Sequence, residues 1–409
     1  MFRNQFLSVV LLVSSFLYAD IDSDVASLTA SHTEFAFSLY PILDVSDTNL
    51  VFSPYSISTC LSMVYLGTRG ETQSQMQSVL HLNVDRKNLA KAAFSLNQSL
   101  LPKEANEKTY KLNIANALWV DQETFLLTDF RYSIEQQFKA KLGVLNFAVP
   151  EKALEAINGW TAEKTQGKIP RLLNVGDINA LTRLVLTNAV YFQGGWAYPF
   201  DPEETHEAPF YSKPEESTQV MMMQKTLNTP YFENDLLQAV ALPFSGTTKE
   251  GGRLAFLALL PKSSDNFSVM TNELEESFLE WVSSLKPEHI ELSLPKFTFF
   301  NRFDLNKPLQ DLGMDDAFDS NANFTGIDGM RDLFLNKVVT LTYFALDEHG
   351  ITAAAATGVG MNVTFTPTEK PPIPFDADHP FLFFIIDLKS KEVLFMGKVI
   401  EPHKTHEVL

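Results

Sequence analysis

The chain has 409 residues, 45% of them hydrophobic and 20% charged, with 50 acidic against 32 basic side chains and a formal net charge of −18. Binding to phosphate backbones or anionic bilayers needs a basic surface, and no stretch here concentrates Lys and Arg without interleaved Asp or Glu, so nucleic acid and membrane are excluded as partners. Gly and Pro supply only 18 and 21 residues while Phe alone supplies 33, which excludes a disordered or low-complexity chain and predicts a large folded core.

At the N-terminus, Arg3 precedes an apolar run from Phe6 to Tyr18, and Ala19-Asp20 returns the chain to polar sequence. A spanning helix needs about 20 apolar residues; this shorter run has the layout of a secretory signal peptide over residues 1–19. The expectation is therefore a secreted, extracellular protein, or a periplasmic one in a bacterium with two membranes. Cys60 is the only cysteine, so no intramolecular disulfide can form, and its Ser, Leu, Met and Val neighbours predict a buried, inert thiol. Sequons at Asn97, Asn266, Asn323 and Asn362 matter only in a host that glycosylates exported chains.

From Ser23 to Leu142 the pattern is mostly helical. Ser53 before Pro54 reads as a helix start, with a hydroxyl N-cap and a proline whose missing N–H costs nothing in the first turn; Gly67 reads as its stop. From Leu181 onward short β-type runs dominate, among them Arg183 to Phe192, Leu254 to Leu260, Ile290 to Phe300 and Phe381 to Phe395. Helices gathered early and strands gathered late predict an α+β protein. Neither a repeat nor a charged linker divides the chain, so residues 20–409 are expected to form a single domain.

The most informative segment begins at Asp347. From Gly350 to Thr368 there are 19 consecutive residues without a charge, and Pro367, Pro371, Pro372 and Pro374 mark its end. Surface loops are normally polar; a segment uncharged on both faces suits a chain that enters the middle of a sheet. Alternation would send Ile351, Ala353, Ala355 and Thr357 to one face, where small residues avoid overpacking a core already formed. The prolines limit such a strand downstream, since proline cannot join a central ladder.

This segment, with Asp347-Glu348-His349-Gly350 before it, resembles the hinge of the serpin family, and further segments resemble that family in order. Asn49 to Ile57, continuing to Leu66-Gly67, is similar to its second helix. Asn113-Ile-Ala-Asn-Ala-Leu-Trp resembles the strand beside the site of insertion, and Asn158, Trp160, Thr165, Gly167 and Ile169 resemble the stretch that follows. Leu186 to Phe192, Gly194, Trp196 and Phe200 resemble the third strand of the main sheet and its breach. Leu294 to Phe297, Leu312 to Phe318, His379 to Ile385 and Phe395 to Val399 continue the match.

The resemblance implies a serpin fold, with helices packed around a large mixed β-sheet and smaller sheets, and an exposed reactive-centre loop over about residues 350–375. It implies a suicide-substrate inhibitor of a serine protease, with a cysteine protease as the other target class, acting as a monomer without cofactor or metal. The protease would attack the loop, and the cleaved loop would then insert into the main sheet and drag the acyl-enzyme away from its aligned oxyanion hole. Counting from Gly350 as the family does puts the reactive bond at Thr364 and Phe365. That suits an elastase-like or chymotrypsin-like pocket, and the lack of Lys or Arg between Gly350 and Thr368 excludes a trypsin-like one. The hinge would comprise Glu348, Gly350, Ile351, Thr352, Ala353, Ala354, Ala355, Ala356 and Thr357, and the shutter and breach Ser53, Ser56, Asn188, Trp196 and Thr340. Two departures stand out: Thr340 occupies the position where many serpins carry a shutter histidine, which predicts a rearranged network, and Ile351-Thr352 replaces a small hydroxyl residue and Glu.

An enzyme is the first competing class, but no His-Glu-x-x-His, Gly-x-Ser-x-Gly, P-loop or dinucleotide fingerprint is present. A non-inhibitory serpin acting as carrier, chaperone or storage protein is the second; Ala353 to Thr357 keep the small residues that insertion needs. Basic residues between Asp85 and Lys111 are interleaved with Asp and Glu, which argues for a solvated helix face and against a glycosaminoglycan site.

Overall fold

The computed structural model describes residues 2–44, 48–104, 109–351 and 370–402, with side chains from residue 21 onward. The chain begins with helix α1 (Phe2–Leu43), strand β1 (Leu50–Phe52), and helices α2 (Pro54–Tyr65), α3 (Gly70–Val79) and α4 (Arg86–Leu100). At α2 the local rules hold: Ser53 is extended, its Oγ accepts from the Ser56 N–H at 3.2 Å, and Pro54 opens the first turn. Every residue of α2 except Thr59 is buried, as expected of a helix surrounded by other elements. Gly67 works differently from its expected left-handed stop. Its φ is not positive, but a Cβ there would lie 2.3 Å from Cγ1 of Ile327, so it is a close-packing glycine.

Next come β2 (Lys111–Asp121), α5 (Thr128–Tyr132), β3 (Lys141–Leu145), α6 (Pro150–Lys164) and β4 (Leu184–Gly195). The region expected to be mostly helical up to Leu142 thus holds two strands and part of a third. β2 is fully buried from Ala115 to Asp121, and this two-sided burial overrides the helical preference of its alanines. The strand-rich half follows with β5 (His206–Lys213), β6 (Glu216–Glu233), β7 (Leu237–Pro243) and β8 (Leu254–Pro261). After α7 (Asn266–Asn272) and α8 (Leu274–Ser283) come β9 (Lys286–Pro295), β10 (Phe297–Asp304), α9 (Asn306–Asp311) and α10 (Thr325–Asp328). The chain closes with β11 (Lys337–Asp347), β12 (Gly350–Ile351), β13 (Ile373–Asp376), β14 (Phe381–Asp387) and β15 (Val393–Val399).

One sheet runs β1-β15-β14-β8-β7-β6-β9-β13, with β5 added to β6. Its strands β8, β14 and β15 are buried at every residue, which explains their unbroken apolar sequence. The other sheet is mixed, in the order β10-β11-β12-β4-β2-β3. Within it β4 and β11 also pair directly and in parallel, from Val185↔Lys337 to Tyr191↔Tyr343. The two faces of this sheet are divided by alternation. Leu118, Leu186, Val190 and Val338 join the main core with α2. Ala117, Val185, Ala189, Val339 and Leu341 form a second core under α6, with Ala153 and Ile157. Trp119 meets Trp160 of α6 edge to face at 5.5 Å. Helix α6 and the segment after it, through Ile169, Leu172, Leu173 and Ile178, thus share this second core with both strands of the β4–β11 pair.

Candidate functional site

The β4–β11 seam changes character along its length. Beyond Tyr191 and Tyr343 the two strands no longer pair with each other; β12 lies between them, with Ile351 opposite Leu346 on one side and Gly194 on the other. Ile351 is fully buried there. The chain reverses into β12 through Asp347–Gly350, where Asp347 Oδ1 accepts the N–H groups of His349 at 2.8 Å and Gly350 at 3.2 Å. Gly350 has φ +141°, and a Cβ on it would meet the Gly194 carbonyl oxygen at 2.0 Å. Glycine is required at this crossing on both counts.

Groups from the segment after β4 hold the turn. Trp196 donates from Nε1 to the Asp347 carbonyl at 2.9 Å, its backbone N–H donates to His349 O, and Phe200 N–H donates to Glu348 O. The indole stacks on Phe244 at 5.1 Å. Glu348 is paired with Lys296, between β9 and β10, at 2.8 Å. Burial works against ionisation of Glu348, but the Lys296 hydrogen bond, a backbone N–H and the Lys296 charge outweigh it and hold the carboxyl below the usual carboxylate range.

A second cluster lies midway along the closed part of the seam. Asn188 on β4 stands directly opposite Thr340 on β11 and Asn116 on β2. Thr340 Oγ1 donates to Asn188 Oδ1 at 2.7 Å. Asn188 Nδ2 donates to Asn116 Oδ1 at 2.6 Å and to Ser56 Oγ, and Ser56 Oγ also reaches Asn116 Oδ1 at 3.4 Å. Ser53 Oγ donates to Leu394 O of β15 at 2.6 Å. All five side chains are buried. A hydroxyl at 340 suffices to cross the seam because register sets it opposite Asn188. Together these bonds tie α2, β2, β4 and β11 at one point, so parting the seam requires breaking them.

The structure thus gathers Ser53, Ser56, Asn188 and Thr340 in one cluster, and Trp196, Glu348, Gly350 and Ile351 in another. Thr352, Ala353, Ala354, Ala355, Ala356, Thr357, Thr364 and Phe365 lie outside the described residues. Asn116 and Lys296 were not singled out by sequence. The signal for Asn116 is a lone amide inside Ile-Ala-Asn-Ala-Leu-Trp, since a buried amide needs partners. Lys296 carries no comparable local signal. Cys60 is buried with Sγ 3.6 Å from Thr187 O, and burial pushes its thiol pKa up. Among the described residues no cluster of three His, Cys, Asp or Glu is placed to hold a metal ion, and no helix is long and apolar enough to cross a membrane.

Comparison with known proteins gives the same outline. The family model described as Serpin (serine protease inhibitor) matches residues 30–402. Leukocyte elastase inhibitor of Sus scrofa is 37% identical over 391 residues, covering 92% of this chain and 99% of that protein. Serpin B6 of Macaca fascicularis is 38% identical over 387 residues, with 92% and 99% covered. Among solved structures, Serpin48 of the insect Tenebrio molitor is similar with a TM-score of 0.80 at 29% identity, covering 92% of this chain and 98% of that one. Uncleaved ovalbumin gives 0.80 at 27%, covering 92% and 100%.

These relatives correct the expectation of export. Leukocyte elastase inhibitor and serpin B6 belong to an intracellular branch, which points away from a secreted, extracellular or periplasmic protein carrying a signal peptide. The expectation rested only on the length of the apolar run and its flanking residues.

Proposed function

Because this chain belongs to the serpin family and has the serpin fold, we propose that it inhibits an elastase-like or chymotrypsin-like serine protease by inserting its cleaved loop into the β4–β11 seam. The observation that carries the reading is β12: two residues of the hinge are already paired as a strand between β4 and β11. The residues that follow, Thr352 to Thr357, are small and uncharged, so extension of β12 would bury no charge. The relatives named leukocyte elastase inhibitor support the target class.

In this reading the protease attacks the Thr364 carbonyl and Phe365 leaves with the new amino terminus. The freed segment then zips along β4 and β11, displacing their direct pairing and breaking the Asn188–Thr340 bond. About ten residues gaining roughly 1 kcal/mol each in net hydrogen bonding would match the whole stability of an ordinary domain. A kinetic barrier must therefore hold the uncleaved state, and the buried polar cluster at Asn188 contributes to it.

Incubation with pancreatic elastase and with chymotrypsin, followed by denaturing gels and mass spectrometry of the loop, tests the proposal. The expected result is a covalent one-to-one complex, cleavage between Thr364 and Phe365, and a large rise in melting temperature of the cleaved protein; trypsin gives no such complex. Cleavage with neither a complex nor a changed melting temperature would overturn it in favour of a non-inhibitory serpin.

A further inference from the structure

On this acidic protein two arginines converge on one backbone carbonyl oxygen just past the end of α2. Leu66, just past the end of α2, offers its carbonyl oxygen to two guanidiniums: Arg69 donates from Nη1 at 3.3 Å and Arg86 from Nη2. Arg69 also donates to Thr68 O at 2.6 Å, and it lies so close over Gly326 that a Cβ there would meet its Nη1 at 2.5 Å. Arg86 donates to Gln73 Oε1 at 3.4 Å and stands over the Tyr65 ring at 5.9 Å. Each of these partners is neutral. Among the described residues neither arginine is in an ion pair.

Capping the end of α2 accounts for one of these arginines, because a helix C-terminus presents about half a negative charge. The second adds repulsion: burial first, and then the Arg69 charge, push the Arg86 pKa below its ordinary value. Both arginines line an open cleft of about 490 Å³, together with Lys87, Ser133 and Gln137. Asp85 and Asp129 also line it, but Asp85 is tied to Lys87 at 3.0 Å and Asp129 pairs with neither arginine.

We propose that this cleft binds a phosphate group carried by a small phosphorylated molecule. Each guanidinium has five N–H donors, and only some are used by the carbonyls and Gln73. Two planar forks set at one corner match a tetrahedral oxyanion, which would also supply the missing counter-charge. The site stands independently of protease inhibition, since the cleft lies at the opposite end of α2 from Ser53 and Ser56.

Calorimetric titration of the full chain with inorganic pyrophosphate, at fixed ionic strength, tests it. The expected result is one saturable site per chain, with sulfate binding more weakly because it carries less charge. Arg69→Gln should weaken pyrophosphate binding about tenfold or more, the loss of a charge-assisted hydrogen bond. Ser133→Glu, which leaves both arginines in place and adds a carboxylate to the cleft lining, should do the same, so the test survives any loosening of α2 by the first variant. Lys249→Gln, outside the cleft, should leave binding unchanged. Heat that never saturates, or affinity unaltered in both cleft variants, would overturn the proposal.

Discussion

From Val185 to Tyr191, β4 is hydrogen-bonded directly to β11, whereas at Gly194 and Gly195 the same strand is paired to β12. The closed stretch carries side chains that resist separation: Asn188 and Thr340 bridge it from one face, and Val185, Ala189, Val339 and Leu341 share a core with α6 and the segment after it on the other. At the open end Gly194, Gly195 and Gly350 meet as bare backbone, and added Cβ atoms at Gly194 and Gly350 would collide with neighbours 2.8 and 2.0 Å away. The sheet is thus already parted where there are no side chains to hold it, and latched where a buried polar network crosses it. Entry of a strand is a matter of local backbone fit at one end. Progress past Asn188 is a matter of breaking satisfied hydrogen bonds.

The largest effect should come from removing the hub of the latch. Asn188→Ala leaves Ser56, Asn116 and Thr340 short of partners in a buried site, and at about 1–2 kcal/mol for each orphaned group the loss should reach roughly 3–5 kcal/mol. Urea unfolding of the uncleaved protein measures it, and a loss below about 1 kcal/mol would contradict the latch. Gly350→Val should follow, at about 2–3 kcal/mol, from backbone strain and collision with Gly194. Its diagnostic is a loss of amide protection at Ile351 while Val185 to Tyr191 stay protected. Thr340→Val removes a single donor and should cost about 1–2 kcal/mol. If it costs as much as Asn188→Ala, the seam is held by Thr340 itself and not by the network around Asn188.

Much of this was visible in the residues, for reasons that separate local from distant information. Ser53-Pro54 marks a helix start because capping is decided within four residues. The apolar runs of β8 and β14 mark buried strands because burial on both faces leaves no alternation to show. Gly350 stands out at the head of an uncharged stretch. The partnership of β4 with β11 was not legible from the local pattern, since a period of two gives the face of each residue but not its neighbour some 150 positions away. For the same reason Asn116 was passed over, as its meaning depends on facing Asn188. Gly67 was expected to terminate a helix by its backbone, whereas its reason is Ile327, a contact with no local sequence signature.

The smallest effects expected are pH-dependent, and they separate the open end of the seam from the rest of the protein. Glu348 has a depressed carboxyl pKa, so its pairing with Lys296 is fully present above the ordinary carboxylate range and is lost as pH falls through the lower folded value. With Lys296 partly exposed, the contribution should stay under about 1 kcal/mol. His379, two residues before β14, has the opposite sign. Burial alone would favour the neutral ring, but Nδ1 meets Asp378 Oδ1 and Nε2 meets the Pro261 carbonyl, both at 2.7 Å, and these acceptors raise its pKa. Its contribution is complete below about pH 6.5 and is lost as pH rises through the raised value. Urea midpoints taken across this range should therefore fall at both ends. Glu348→Gln should flatten only the acid limb and leave the alkaline one, while His379→Gln should do the reverse. If Glu348→Gln flattened both limbs, the turn before β12 and the β8–β14 anchor would be one coupled unit, and the open end of the seam could not be treated as locally independent.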